Sequence, residues 1–397
     1  MADDRRASNE AEALSPSSSI SMSTQSRSSS SLPAAHRRSV RVGLIGFGSI
    51  AVGSHLPAIA GIEALELAAI LDPDPAPPAI TRAGLSLPES LLHQSADRFY
   101  ASGLDAVVVT SPAPAHLENV LEAVDHGLPV LCEKPLAMTA EDGQTMVDAA
   151  DSAGVPLHVG FCYRFSPVAA VIRDELIAGT IGQPRTLRLI YNWACHGAAI
   201  DTETENPVRW HSDTRRRGRM LEGGPMVDCG THQIDLARWW LGSEVMGVCG
   251  QGSWADDYEA PDHVWAHLNH VNGAHTAVEM SFSYGHRCRD LPKEFVYEII
   301  GSEGVIRYDR IRRTFERRDR QGTAPLKFGP EKGFESMYEA WARMLIDGTP
   351  DERLCDGQDA IRVTEIARDA TEQAITGRLQ AEVVTTDAAV MPPVELV

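Results

Sequence analysis

The chain has 397 residues, 43% of them hydrophobic, and a formal net charge of −19. It is long enough for two or three domains with substantial cores, and its hydrophobic content excludes a largely disordered chain. The acidic balance argues against a general nucleic-acid binder or a ligand of acidic membranes.

Seven cysteines, at 132, 162, 195, 229, 249, 288 and 355, are too scattered for a disulfide framework and read mostly as buried thiols. No window has the unbroken apolar length of a membrane helix, and no apolar run follows Arg5 and Arg6 as a secretory leader requires. A cytoplasmic enzyme is expected. Residues 1–39 are Ser-rich and cannot bury enough apolar surface to offset the entropy of ordering. They read as a mobile tail; a regulatory or targeting segment and a start site set too far upstream account for it equally well.

Val40–Ile45 reads as a strand that runs into a glycine cluster. Gly46, Phe47, Gly48, Ser49, Ile50 and Ala51 spell G-x-G-x-x-A, a dinucleotide fingerprint when it joins a strand to a helix. Gly46 permits the tight turn, Gly48 lets the backbone approach a pyrophosphate, and Ala51 allows close helix–strand packing. The phosphates then lie over unpaired N–H groups at the helix start. An ordinary glycine-rich turn carries the same letters. Ser49–Ala60 is the expected helix, kinked or ended early by Pro57. A second apolar run, Leu65–Leu71, ends at Asp72, roughly twenty residues beyond the glycines, where a carboxylate accepts both ribose hydroxyls. That carboxylate would repel the 2′-phosphate of NADP, so NAD is favoured; Asp72-Pro73 also reads as a simple turn.

Residues 73–103 are Pro-rich and then weakly helical. The strand-like runs Leu104–Val109, Leu128–Cys132 and Val155–Val159 alternate with helical stretches His116–His126 and Ala140–Ala153, which implies a parallel sheet. Gly46, Asp72, Ser111 and Lys134 all fall at carboxyl ends of strands, where such sheets bind ligands. After Phe161 the pattern changes. Pro167–Ala178 reads as a helix, Thr186–Trp193 as a strand, Asp201–Met220 as polar and irregular, and roughly Val227–Leu241 as a helix. Runs at Met246–Gly250, Val264–Asn269, Thr276–Tyr284, Phe295–Gly301 and Val305–Arg310 predict a largely antiparallel sheet with helices on one face. Phe334–Ile346 and Ala360–Thr376 read as closing helices.

Asp228 and His232 are four apart in DCGTHQID, which puts them on one side of a helix, with Asp235 a turn further on. A carboxylate so placed holds one imidazole nitrogen as N–H and frees the other to take a proton; a cap or an interface contact is the alternative. Lys134 can stabilise negative charge on a reacting oxygen, lower a hydroxyl's pKa, or deliver a proton if its own pKa is depressed; a salt bridge to Glu133 is the plain alternative. Whether Lys134-Pro135 is cis is not readable from sequence. Together these groups suggest one mechanism, in which His232 takes a hydroxyl proton, Asp228 supports the imidazolium and Lys134 steadies the alkoxide while a nicotinamide takes the hydride. No metal is required, and neither Cys229-x-x-His232 nor Cys195-His196 has a second ligand pair at the usual spacing.

The combination resembles the Gfo/Idh/MocA family of oxidoreductases, through GFGSIA, TSPAPAH at 110–116, CEKPLA at 132–137, GFCYRFSP at 160–167 and GGPMVDCGTHQIDLARWWLG at 223–242. The resemblance implies an N-terminal Rossmann domain (40–160) and an α+β domain (161–350) whose open, largely antiparallel sheet binds substrate and often forms a dimer or tetramer interface. A helix over 351–380 would return to the nucleotide domain, followed by a tail at 381–397. It also implies that Lys134, Asp228 and His232 are the catalytic set, and that Asp72 binds the adenosine ribose. Ser111, Pro112, His116 and Glu133 would lie near the nicotinamide half, with Tyr163 and Arg164 near the substrate mouth. Pro225 departs from the family pattern, where many relatives have a third small residue. The implied substrates are sugars, cyclitols and related polyols. Trp193 and Trp210 are candidates to stack on a sugar ring, with core packing as the alternative. The run Arg215–Arg219, RRRGR, could meet a carboxylated or phosphorylated substrate, or be a solvated loop. An enzyme that recycles a tightly held NAD, or a non-catalytic NAD sensor on the same fold, stay open as other functions.

Overall fold

The computed structural model describes residues 39–75, 87–200, 207–209 and 213–387. The expected N-terminal tail, apart from Ser39, and Trp210 therefore lie outside the described residues. The first sheet contains β1 (Val40–Ile45), β2 (Leu65–Leu71), β3 (Leu92–His93), β4 (Ala106–Val109), β5 (Val130–Cys132) and β6 (Leu157–Val159), with β17 (Cys355–Asp356) from the far end of the chain. Its order is β17-β6-β5-β4-β1-β2-β3. All neighbours run parallel except β17, which pairs antiparallel with β6. The order reverses between β1 and β4, so the ligand crevice of such a sheet opens over their carboxyl ends. The central strands are near-continuous apolar runs because helices cover both faces.

The covering helices are α1 (Leu56–Gly61), α2 (Ala96–Tyr100), α3 (His116–Asp125) and α4 (Ala140–Ala153). Thr139 caps α4 by accepting the Asp142 N–H at 3.0 Å, and Gly154 ends it in the left-handed region. The single helix expected over Ser49–Ala60 instead widens into a π-turn at Ala51–His55 before α1. Pro57, in the first turn of α1, has no N–H to give, and the irregular hydrogen bonding sits just upstream of it.

After α5 (Pro167–Ile177) comes a second sheet of β7 (Pro184–Asn192), β10 (Val245–Ser253), β11 (His263–His270), β12 (His275–Ser281), β13 (Glu294–Gly301), β14 (Gly304–Asp309), β15 (Thr314–Asp319) and β16 (Gly322–Pro325). Its order is β10-β11-β12-β7-β13-β14-β15-β16, with every pair antiparallel except β12–β7. The sequence reading missed β15 and β16. They close one end of the sheet, β16 at the edge and β15 inside it, and Glu316, Arg317 and Arg318 in β15 break the apolar alternation that marks a strand. The short hairpin β8 (Ala198–Ile200) and β9 (Pro207–Arg209), and α6 (Asp213–Leu221), give form to part of the segment read as irregular.

α7 (Thr231–Leu241) packs on one face of this sheet, where Leu236 and Trp240 share a core with Leu189, Tyr297 and Tyr308, while α8 (Phe334–Asp347) lies against α1 and β1 of the first domain. The long α9 (Gly357–Asp387) extends the helix read over Ala360–Thr376 at both ends, and past residue 380 its backbone occupies part of the region read as a tail. It shares a core with both layers, packing Ile361, Ile366 and Ala370 among Val147, Val264 and Val278. Gly250 in β10 permits this, because a Cβ there would lie 1.9 Å from the Ala370 carbonyl oxygen. Two cysteines, Cys249 and Cys288, are exposed rather than buried.

Candidate active site

The turn after β1 fits a dinucleotide. Gly46 has φ +85°, and a Cβ there would lie 2.6 Å from the Ser111 backbone, so only glycine lets the ends of β1 and β4 close together. At Gly48 a Cβ would meet nothing within 4 Å. Gly48, Ser49 and Ile50 are exposed, which leaves room for a pyrophosphate beside a helix start. Phe47 offers only backbone: its side chain is buried in the core and its N–H donates to Asp72 Oδ2 at 2.6 Å. Asp72 Oδ1 accepts the Asp74 N–H at 2.9 Å. Asp72 thus makes the local turn and also sits, half-exposed, at the end of β2 beside the glycines.

The turn after β5 is held from beneath. Glu133 Oε1 meets His55 Nε2 at 2.9 Å, His55 Nδ1 meets the Tyr338 hydroxyl at 2.6 Å, and Glu133 Oε2 accepts the Lys134 N–H at 3.1 Å. Burial pushes the Glu133 carboxyl up, but His55 and Lys134 outweigh it and hold it below the usual range. His116 Nδ1 faces the Pro135 and Leu136 carbonyls at 3.0 and 3.2 Å, and its Nε2 faces the Ser111 carbonyl at 2.8 Å. The peptide bond Lys134-Pro135 is cis. Glu133 and His116, expected to touch the nicotinamide half, therefore spend their polar atoms on this chain: both are buried and tie the turn to its neighbours. Ser111 Oγ accepts from Asn119 at 2.8 Å, and Pro112 is exposed at the rim. His55 was missed by the sequence reading. Its signal was present, since Ala51, His55 and Ile59 recur every four residues on a buried stripe and only His55 is polar.

Lys134 reaches across to the second domain. Its Nζ donates to Asp228 Oδ1 at 3.0 Å and to the Asp228 backbone oxygen. Arg219 Nε lies 3.5 Å from Asp228 Oδ2. Burial opposes both charges, yet each supports the other. The Asp228 carboxyl is held far below the ordinary range by Lys134 and Arg219, and Lys134 is raised above the ordinary lysine range by Asp228. The depressed lysine pKa that proton delivery requires is therefore absent.

His232 stands next along the same helix, 8% exposed, with its ring stacked on Tyr163 at a centroid distance of 4.1 Å and an angle of 5°. No hydrogen bond joins it to Asp228, contrary to the expected pairing. A π-turn over Met226–Gly230 replaces the regular helix assumed for that spacing, and the carboxylate turns to Lys134 and Arg219 instead. His232 Nδ1 is buried with no hydrogen-bond partner among the described residues, which leaves Nε2 as the open edge of the ring. Burial first, then Lys134 and Lys332, push its pKa well below the ordinary histidine value, against a smaller pull from Asp228.

Arg164 does not face a substrate mouth. It makes three buried hydrogen bonds to Asp235, at 2.6–3.1 Å, and one to Asp359 at 3.2 Å, bracing α7 against α9. Trp193 stacks on Tyr191 at 5.8 Å and packs with Phe282, half-buried on the wall near Cys195 and Cys229. Among the described residues no three His, Cys, Asp or Glu side chains are grouped to hold a metal ion, and no helix is long and apolar enough to cross a membrane.

Residues 40–161 match the oxidoreductase family with an NAD-binding Rossmann fold, and residues 170–307 match the GFO/IDH/MocA C-terminal domain. This chain belongs to the Gfo/Idh/MocA family. The rhizopine catabolism protein MocA of Rhizobium meliloti is 30% identical over 206 residues, covering 51% of this chain and 58% of its own length. The scyllo-inositol 2-dehydrogenase (NAD(+)) of Bacillus subtilis is 28% identical over 217 residues, covering 51% of this chain and 55% of its own. The match thus spans a little over half the length of these relatives. Among similar solved structures, the WlbA dehydrogenase of Bordetella pertussis, in complex with NADH and UDP-GlcNAcA, superposes with a TM-score of 0.65 at 25% identity, covering 86% of this chain and 98% of that one.

Proposed function

We propose that this chain is an NAD-dependent dehydrogenase that acts on a hydroxyl of a sugar, cyclitol or related polyol. The observation that carries this reading is the Lys134–Asp228 ion pair, which joins the turn after β5 to the π-turn before α7 and brings the open edge of His232 beside a fixed cation. The bound nicotinamide supplies a hydride acceptor at C4. The chain supplies the rest. Lys134 stays protonated, polarises the hydroxyl oxygen and stabilises alkoxide charge as it develops. His232, kept neutral, accepts the hydroxyl proton at Nε2. The Tyr163 ring stacked against it favours the imidazolium that results, as does the negative charge of Asp228. Asp228 acts by fixing Lys134 rather than by orienting the imidazole. Asp72 supports NAD over NADP through repulsion of a 2′-phosphate.

The face of the second sheet opposite α7 is the surface we assign to self-association as a dimer or tetramer, to be read by light scattering. The function is tested by absorbance in the NADH band, with NAD or NADP added separately against sugars, inositols, sugar acids and phosphosugars. NADH formed with NAD and one polyol class is expected. Bound NAD with no turnover across the panel favours the recycling enzyme or the sensor.

A further inference from the structure

The catalytic groups do not use all of the site's positive charge. Arg219, in α6, donates from Nη1 to Cys195 Sγ at 2.9 Å, lies 3.5 Å from Asp228 Oδ2 through Nε, and packs 5.8 Å from the Phe282 ring centroid. Burial pushes the Cys195 thiol up to about 12, against the pull of Arg219, so the sulfur is neutral and a weak acceptor. Asp228 accepts from Lys134 at Oδ1 and at its backbone oxygen, and its Oδ2 faces Arg219 Nε without a hydrogen bond. A guanidinium carries five N–H donors in a planar fork. Among the described residues, none of those on Arg219 makes a hydrogen bond to an oxygen, although the side chain is only 17% exposed. A largely desolvated guanidinium with spare donors beside a reaction centre is a receptor for an oxyanion.

The opposite flank carries a second cation. The Gly333 N–H donates to the Cys162 carbonyl at 3.1 Å, and a Cβ on Gly333 would lie 2.3 Å from the Phe165 carbonyl oxygen. Lys332 is thereby seated against the turn that presents Tyr163 to His232. It is exposed and makes no ion pair among the described residues, while the neighbouring Glu331 is taken by Arg310. Lys134 and Arg219 thus both act on Asp228, and Lys134 and Lys332 both act on His232, in a chain whose overall charge is −19. That local inversion of sign focuses field on the site and attracts an anion.

We propose that the substrate carries an oxyanion, a carboxylate or a phosphate on its sugar-like skeleton, held by the spare N–H edge of Arg219 and attracted by Lys332. The proposal rests on the dehydrogenase reading above and narrows its substrate class.

The test pairs charged compounds with neutral parents: D-glucuronate, D-gluconate and D-glucose 6-phosphate against D-glucose and myo-inositol. Two readouts are taken with NAD present, NADH formation and quenching of tryptophan fluorescence. A charged compound should exceed its neutral parent about tenfold or more, and whether the acids or the phosphate do so identifies the oxyanion. Arg219→Gln should cut that ratio about 10- to 100-fold, and Lys332→Gln about two- to fivefold. If Arg219→Gln does not fold, Lys332→Gln and Lys332→Glu, at an exposed position, carry the test alone. Preference for the neutral parents, or ratios within twofold of wild type in every folded variant, overturns the anion site. Turnover of neutral sugars without charge preference leaves the dehydrogenase reading standing and sinks this one. If no compound yields NADH, the dehydrogenase reading fails, and the fluorescence ratios still decide the anion site.

Discussion

Two walls of the site are built on opposite principles. On the wall that carries Lys134, nearly every polar group is consumed internally: Tyr338, His55 and Glu133 form a buried chain, His116 ties Pro135 and Leu136 to Ser111, and Asp228 receives the ammonium. On the wall formed by α6 and Trp193, donors are left over: Arg219 meets a thiol, and the Trp193 Nε1 is buried with no partner in the structure. A fully satisfied network fixes a geometry, as a reacting group needs. An incompletely satisfied one has bonds to give to something that arrives. The contrast separates groups that conduct the reaction from groups that choose what reacts.

The sharpest way to break this contrast is to remove the proton acceptor. His232→Ala should lower kcat by about 10²- to 10⁴-fold, with the dissociation constant of NAD, read by fluorescence titration, close to wild type. A tenfold loss of NAD affinity alongside would give His232 to the cofactor instead. Asp72→Ala should do the reverse: NAD binding weakens about tenfold and discrimination against NADP shrinks, while kcat at saturating NAD changes little.

Tyr338→Phe probes whether the buried chain under Lys134 matters to rate. It removes the partner of His55 Nδ1 and should cost about 1–3 kcal/mol of stability in a denaturant titration. It should also lower kcat several-fold without raising the KM for NAD; equal changes in both constants would reduce the chain to scaffolding.

The smallest effect is in pH dependence. The His232 pKa is depressed by burial, Lys134 and Lys332, so its base form persists below the ordinary histidine range. Activity should hold steady from pH 8 to about 6.5 and decline only further down. For stability the sign is the same: below about 6.5 the unfolded chain takes up a proton at this position that the folded chain refuses, so stability falls as pH drops. A rate that halves at neutral pH would contradict the depressed value.

The longer strands of the first sheet were legible because they are largely apolar runs between turn signals, and Gly46 occupies a position only glycine tolerates; the two-residue β3 and β17 are too short to leave such a run. The partition of polar residues was less so. Arg164 and His116 sit in motifs beside catalytic residues, and a one-dimensional pattern does not tell a side chain aimed at a ligand from one aimed at a carboxylate or carbonyl of its own chain. The Asp228–His232 pairing assumed a regular helix; the π-turn at Met226–Gly230 re-aims the carboxylate, and nothing in DCGTHQID announces it. Arg219 was read only as part of a basic run, since its distinction is a lack of hydrogen-bonded oxygens among the described residues, which only three dimensions reveal.

The helix α9 has a consequence for how the molecule comes apart. Its Arg368 donates to the Glu222 carbonyl at 3.3 Å, and its Asp359 holds both Arg164 and Arg238. With Ile361 packed beside Gly143 and Val147 of the first domain, one rod is cemented at once into the layer that grips the dinucleotide and the layer that presents His232. Neither layer can melt without stripping an apolar face from the other, so heat should meet a single cooperative unit. The helix follows both layers in the chain, so both halves wait for it.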